Sequence, residues 1–276
     1  MPISAHVRKP VIAGSWYPSD PDALKRNIEG YLDRAEIGEI PGKPLAIISP
    51  HAGYIYSGQT AAYAYKCLCG HEYSTVVVIS PSHRAYFPAV SVWGSGAFET
   101  PLGALEVDKE LCGKLAASSG VFTNNTAPHD SEHALEIQLP FLQVVLPAFR
   151  LCPLIMGRQD LDVCRELAGA LSQAIGSRDD VLIVASSDLS HFHPARTAEA
   201  MDARVARAIE WFDVEGLSRD LKTSASEACG GGPILTALLY AQALSRTRSR
   251  VLTYTHSGNI TGDNSSVVGY LSAVIF

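Results

Sequence analysis

Charge is scarce in this chain of 276 residues: only 18% are Asp, Glu, Lys or Arg, and the balance is acidic, −6 at neutral pH with a pI near 5.8. That balance excludes a general affinity for nucleic acid or for an anionic membrane surface. No apolar run approaches the roughly 18 residues of a membrane span, and Val267 to Phe276 reads as a terminal strand. Met1 to Lys9 lacks the apolar stretch of a signal peptide, so none is expected. The six cysteines are scattered without the close spacing of a disulfide scaffold, which fits a reduced, cytoplasmic protein. No linker is long enough to divide the chain, so residues 1–276 are expected to form a single domain. With 47% hydrophobic residues it can bury a sizeable core.

Three apolar runs end in the same kind of residue. Leu45–Ile48 leads into Ser49-Pro50-His51, Thr75–Ile79 into Ser80-Pro81-Ser82-His83, and Val181–Ala185 into Ser186-Ser187-Asp188-Leu189-Ser190-His191. Each run is continuous rather than alternating and rich in β-branched side chains, the pattern of a strand buried on both faces. This predicts an α/β fold, a predominantly parallel or mixed central sheet flanked by helices. Open α/β sheets place their sites beyond the carboxyl ends of the strands. Three such ends bearing imidazoles therefore point to one pocket, and imidazole is the commonest protein metal ligand.

Between these runs the chain is punctuated by caps and breakers. Residues 7–19 read as an extended arm, and Ser19 or Asp20 caps a helix that starts with Pro21 and turns Leu24, Ile28, Tyr31 and Leu32 to one face. Residues 45–83 read as a βαβ unit with its two strands side by side, each ceasing to pair at its Ser-Pro. Val90 to Phe98 reads as strand and hairpin, and Asp108 caps a helix to Ser118. Asp130 or Ser131 opens a helix that carries Glu132, His133 and Glu136 and is kinked or ended by Pro140. A strand at Leu151–Met156 and helices at Leu161–Ile175, Thr197–Trp211 and Pro233–Leu244 follow, then strands at 250–256 and 266–275.

His51 and His83, at matching strand ends, suit two neutral imidazole ligands on one metal ion; each alone could equally be a hydrogen-bonded loop histidine. Cys229 precedes three glycines and a helix N-terminus, where a thiolate or a bound anion is favoured. Asp188 beside His191 can fix an imidazole tautomer for proton transfer. Glu132 and His133 stand at a helix start, and Tyr54 and Tyr56 can lend hydroxyls to a pocket or simply pack. Two mechanisms fit these residues. In one, His51, His83 and Cys229 hold a metal while His191 moves protons. In the other, Cys229 is a nucleophile activated by His191 and oriented by Asp188, as in a thiol hydrolase. The second leaves His51 and His83 without a role, which favours the first.

At these residues the chain resembles the Memo family, itself similar to class III extradiol dioxygenases. The matching stretches are Ala13–Pro18, Ser49–Tyr54 with Ser57-Gly58, Ser80–His83, Asp130–Leu139, Ser186–His191, and Cys229-Gly230 before Pro233-Ile234. The resemblance implies a dioxygenase-like single α/β domain. It implies His51, His83 and Cys229 as metal ligands, with the thiolate in place of the dioxygenase carboxylate. His191, with Asp188, is the implied acid/base, and Tyr54, Glu132 and His133 are the expected substrate contacts. A thiolate with two imidazoles admits copper or zinc beside the Fe(II) of the dioxygenases. The implied function is a redox-active non-haem iron or copper enzyme; the alternative is a binding module that holds a peptide or small aromatic ligand in the same cleft. Implied partners are an AMMECR-type protein and a radical-SAM protein.

Overall fold

In a computed structural model, residues 6–276 are described; Met1 to Ala5, part of the stretch read for a signal segment, lie outside them. The three histidine-ended runs become strands Ala46–Ser49, Thr75–Pro81 and Val181–Ser186, every residue of them buried. Together with Arg150–Met156 they form the parallel centre of a nine-stranded mixed sheet. Val267–Ile275 adds antiparallel to Ala46–Ser49, and itself pairs with Ser249–His256 and His191–His193. At the other edge Val90–Val92 runs antiparallel to Arg150–Met156 and carries Phe122–Thr123.

The lateral order differs from the expected one. Ala46–Ser49 and Thr75–Pro81 are not neighbours: Val181–Ser186 lies between them and pairs with both. Burial on both faces marks a strand as central but carries no information about which central strand is adjacent. The consequence for the site is direct, because the segment bearing Asp188 and His191 emerges between His51 and His83. Pairing also outlasts the second Ser-Pro. Pro81 stays in register with Met156, since the missing N–H matters only on the side where a partner carbonyl needs it.

Helices flank this sheet. In Pro21–Arg34, capped by the Asp20 carboxylate on the Ala23 N–H at 2.8 Å, the buried face is Leu24, Ile28 and Leu32. It packs on Tyr54–Lys66, which in turn covers the strands at Ala46–Ser49 and Val267–Ile275. Gly231–Ala243 is buried nearly all round and packs on Val181–Ser186 and on the amphipathic helix Leu161–Ile175. A helix with no polar face belongs inside. Its placement brings the Cys229 turn to the sheet's carboxyl edge. No helix of the described residues is long and apolar enough to cross a membrane.

Two readings of single runs are revised. The stretch Val90–Phe98 divides between sheets: Val90–Val92 stays in the large one, while Ala97–Thr100 pairs with Val7–Arg8 and, in a hairpin, with Gly103–Glu106. Gly96 makes the turn possible, with φ +92° and a Cβ position only 2.0 Å from the His6 carbonyl oxygen. The helix expected from Asp130 or Ser131 instead starts on Glu132, whose own carboxylate caps the Ala134 N–H at 2.9 Å. It ends at Glu136, and Pro140 sits in the first turn of a separate helix, Leu139–Val145. Strand His191–His193 and helix Val214–Lys222 have no counterpart in the sequence reading.

Candidate metal centre

His51, His83 and His133 converge at the carboxyl edge of the parallel strands. One ring nitrogen from each lies within 4.8 Å of the other two. The ring centroids of His83 and His133 are 4.6 Å apart, and those of His51 and His83 5.1 Å. The pocket over them, about 410 Å³, is walled by Trp16, Tyr56, Asp188, His191 and Tyr270. His51 is buried and His133 nearly so, while the His83 side chain keeps 28% of its surface in solvent.

The hydrogen bonds determine which nitrogen of His51 is free. Ser186 Oγ lies 2.7 Å from the Ala134 carbonyl oxygen, which can only accept, so the single hydroxyl proton goes there. Gln138 Nε2 donates to the same Oγ at 2.7 Å and to the Pro50 carbonyl at 3.0 Å, which orients its amide. Ser186 Oγ therefore has only a lone pair for His51 Nδ1, 2.9 Å away, and Nδ1 must carry the proton. Nε2 is left unprotonated, its lone pair turned toward Cys229 Sγ at 3.0 Å.

Glu132 performs the same service for His83. Its carboxylate accepts the His83 N–H at 2.6 Å and faces His83 Nδ1 at 2.9 Å, so this ring too presents Nε2 to the pocket. Carboxylate or hydroxyl partners of this kind set the tautomer and raise the basicity of metal-binding histidines. Burial opposes ionisation of Glu132, but the bonds from the His83 ring and from the backbone N–H groups of His83 and Ala134 outweigh it and hold the carboxyl at about 2. His133 is pushed down to about 4 by burial and then by the neighbouring His51. Burial, reinforced by His83, also drives His51 well below the ordinary histidine range. Near neutrality His51 and His133 are thus neutral imidazoles beside the buried Glu132 carboxylate, the state that a cation requires of its ligands.

Cys229 meets this group through His51. Its turn is stitched to the end of strand Val181–Ser186: Cys229 N donates to the Asp188 carbonyl at 3.2 Å, Asp188 N to Cys229 Sγ at 3.3 Å, and Gly230 N to Ser187 Oγ at 3.0 Å. A Cβ on Gly230 would come within 2.1 Å of the Ser186 carbonyl oxygen, so only glycine permits this approach. Burial, and next the Asp188 carboxylate, push the Cys229 thiol far above its ordinary range. A neutral thiol on His51 Nε2, rather than on His191, is a poor arrangement for the thiol hydrolase mechanism.

Asp188 and His191 leave the strand together but do not pair by hydrogen bonding. Asp188 Oδ1 accepts the His51 N–H at 2.7 Å, and its other oxygen lies 3.9 Å from His51 Nε2. The His191 tautomer is set instead by the Leu189 carbonyl, to which Nδ1 donates at 2.7 Å. The carboxylate is turned instead to the end of the neighbouring strand Ala46–Ser49, where His51 lies. Tyr54 is directed away from the pocket: it is buried, and its hydroxyl donates to the Ile137 carbonyl at 2.9 Å. Tyr56, two residues on in the same helix, lines the pocket. Glu132 likewise lies beneath His83 rather than on the pocket wall, whereas His133 lines it.

An arm of the chain completes the wall. Arg8 forms a buried ion pair with Glu136 and donates to the carbonyls of His129 at 2.9 Å and Glu132 at 2.8 Å. Glu136 also accepts Tyr17 Oη at 2.7 Å and the Val11 N–H at 2.9 Å. Clamped at both ends, the arm lays the Trp16 ring on His133, centroids 4.5 Å apart. Sequence reading left Ser186, Gln138 and Arg8 without roles. For Gln138, set between Ile137 and Leu139, the polar side chain in an apolar stretch was the available signal, because buried polar groups need partners.

Residues 8–274 match the family described as Memo-like protein. The chain belongs to the Memo family. A MEMO1 family protein of Methanothermobacter thermautotrophicus is 36% identical over 275 residues, spanning 96% of this chain and 98% of the relative. Others from Methanopyrus kandleri and Thermotoga maritima are 34% and 36% identical, each alignment spanning 98% of this chain and 98% and 99% of the respective relatives. His51, His83 and His133, the Ser186–His191 segment and Cys229 all lie inside the span shared with the Memo family.

Proposed function

We propose that this member of the Memo family is a cytoplasmic metal-dependent redox protein that acts on a small molecule held over His51 and His83. Fe(II) is the proposed metal and copper the alternative, with zinc as a non-redox occupant. The observation that carries the reading is the pair of tautomer locks, Ser186 on His51 Nδ1 and Glu132 on His83 Nδ1. Both fix Nδ1 as the donor and turn Nε2 toward a group of three converging imidazoles. Cys229 is proposed as the third ligand, and His133, with a nitrogen in the same group, competes for that role. A thiolate and imidazoles together suit iron, copper or zinc better than magnesium or calcium. A bound iron or copper ion would supply Lewis acidity and one-electron chemistry.

The chain's own residues then divide the remaining work. His191, its Nδ1 spent on Leu189, offers Nε2 to take or return a proton in the pocket it lines. Asp188 anchors the His51 backbone, and Trp16, Tyr56 and Tyr270 limit water in the pocket. One observation favours the binding-module reading: Ile55 and Phe192, on the elements that bear Tyr56 and His191, are 72% and 75% exposed. Apolar side chains held out at a pocket's edge suit a ligand with an apolar body.

Metal analysis of protein purified without oxygen tests the proposal. Wild type is expected to hold close to one iron or copper per chain, and His51→Ala and His83→Ala to lose at least nine-tenths of it. Parallel Cys229→Ala and His133→Ala variants identify the third ligand by which of them loses metal. Equal metal content in wild type, His51→Ala and His83→Ala overturns the metal reading. Peptide or aromatic-ligand binding that is as tight in metal-free protein would then favour the module.

A further inference from the structure

Among the described residues, four other than glycine have a left-handed backbone: Phe192, Phe212, Ser224 and Ser245. The last three each stand two residues past the end of a helix, Ala195–Glu210, Val214–Lys222 and Gly231–Ala243 respectively, where this conformation is the usual stop. Phe192, with φ +63°, has no such reason. It lies inside strand His191–His193, whose other two residues pair with successive positions of the adjoining strand, His191 with Val268 and His193 with Val267. Phe192 is therefore the extra residue of a bulge, a device that re-aims a side chain. Glu227 braces both of its neighbours: the carboxylate accepts the His191 N–H at 3.3 Å and faces His193 Nε2 at 3.0 Å. The phenyl ring so presented is 75% exposed. A single exposed apolar residue is ordinary, but one that a braced and strained backbone holds out in water does nothing for folding, and such strain gathers at functional sites.

The ring stands beside the histidine pocket. Its centroid is 5.6 Å from that of His191, which lines the pocket, as does Val268 across the bulge. The pocket itself is graded from polar to apolar. His51, His133 and Asp188 in its lining are buried, whereas Ile55 is 72% exposed and Tyr56 41%. No Lys or Arg is among the lining residues, so an anionic group on the outer part of a ligand would lose its hydration without meeting a cation. An apolar body there would instead cover surface that Ile55 and Phe192 otherwise leave to water.

We propose that Phe192, seconded by Ile55 and Tyr56, is a specificity-determining residue that selects a small molecule with a polar head at the histidines and an uncharged, apolar outer body. This rests on the reading that a small molecule sits over His51 and His83, and is independent of which metal they hold.

Titration of chelator-treated, full-length protein with three phenols, followed by NMR, tests this. The probes are phenol, 4-propylphenol and 3-(4-hydroxyphenyl)propionate, in which a carboxylate replaces the end of the propyl chain. 4-Propylphenol is expected to bind about tenfold more tightly than phenol, roughly half the free energy of fully burying three carbons. The propionate should stay within about threefold of phenol, because its charge finds no partner at the rim. Phe192→Asn substitutes a residue that tolerates the left-handed backbone, and should cut the propyl gain to below about threefold while phenol itself changes less than about twofold. Trp211→Ser removes another ring, 74% exposed, and should leave the gain unchanged. Ala52→Phe, which fills the histidine pocket, should abolish binding of all three. An undiminished gain in Phe192→Asn, an equal gain for the propionate, or no binding of 4-propylphenol to wild type overturns the proposal. So does a lowered urea midpoint in Phe192→Asn, which would give the ring a structural role. A gain that Phe192→Asn removes, with binding that Ala52→Phe leaves intact, overturns instead the reading that puts the ligand over the histidines.

Discussion

Replacing Ser186 by Ala removes one oxygen and strands three groups. The His51 Nδ1–H loses its acceptor at 2.9 Å, Gln138 Nε2 loses one at 2.7 Å, and the Ala134 carbonyl loses its donor at 2.7 Å. All are buried, and each unsatisfied group costs about 1–3 kcal/mol. Because Gln138 still donates to Pro50 and its neighbours can relax, a total loss of roughly 3 kcal/mol in unfolding free energy is expected, read from urea denaturation of metal-free protein. The effect on the proposed metal is separable. Without Ser186 the His51 ring is free to carry its proton on Nε2, and loss of such a partner lowers metal affinity about 10–100-fold, or about 1.4–2.7 kcal/mol. Competition titration with a chelator measures this on the folded protein, and nitrogen chemical shifts of the His51 ring report the tautomer directly. Metal affinity within twofold of wild type, with the proton still on Nδ1, would refute the locking role.

Breaking the Arg8–Glu136 pair with Arg8→Met leaves a buried carboxylate without its cation, at a cost of about 3–5 kcal/mol; a thermal midpoint lowered by less than about 3 °C contradicts the clamp. Acid should destabilise the fold in a defined window. His133 and His129 are held by burial to about 4 and about 3, below the unfolded value of 6.5. Below pH 6.5 the unfolded chain therefore binds protons that the native one refuses, and stability falls until the native pKa values are passed. Glu132, held at about 2, adds to the loss below its unfolded value of 4.5; a urea midpoint unchanged between pH 7 and pH 4.5 excludes this account. Finally, a thiol kept neutral by burial must release its proton to become a ligand. Zinc binding at pH 7 should free about one proton per ion, seen as a dependence of binding heat on buffer, and Cys229→Ala should abolish it; equal release in both proteins removes Cys229 from the ligand set.

Much of the fold was open to inspection along the chain. The continuous apolar runs before His51, His83 and His191 became buried strands, and Asp20 and Asp108 capped the helices expected of them. Local chemistry decides such features: side-chain period, a carboxylate beside free N–H groups, a proline that cannot continue a helix. Lateral strand order, the parting of Asp188 from His191, and the burial of Tyr54 away from the pocket were not legible, because each depends on what packs alongside.

The sequence by itself determined that imidazoles would crown the ends of buried strands, since apolar continuity and chain direction leave no other place for them. Only the tertiary structure decided which nitrogen of His51 is free, that His133 joins His51 and His83, and that the Cys229 sulfur meets His51. Those outcomes rest on hydrogen bonds between residues far apart in the chain, such as Ser186 with His51 and Glu132 with His83. Such bonds exist only once the sheet has set its strand ends side by side.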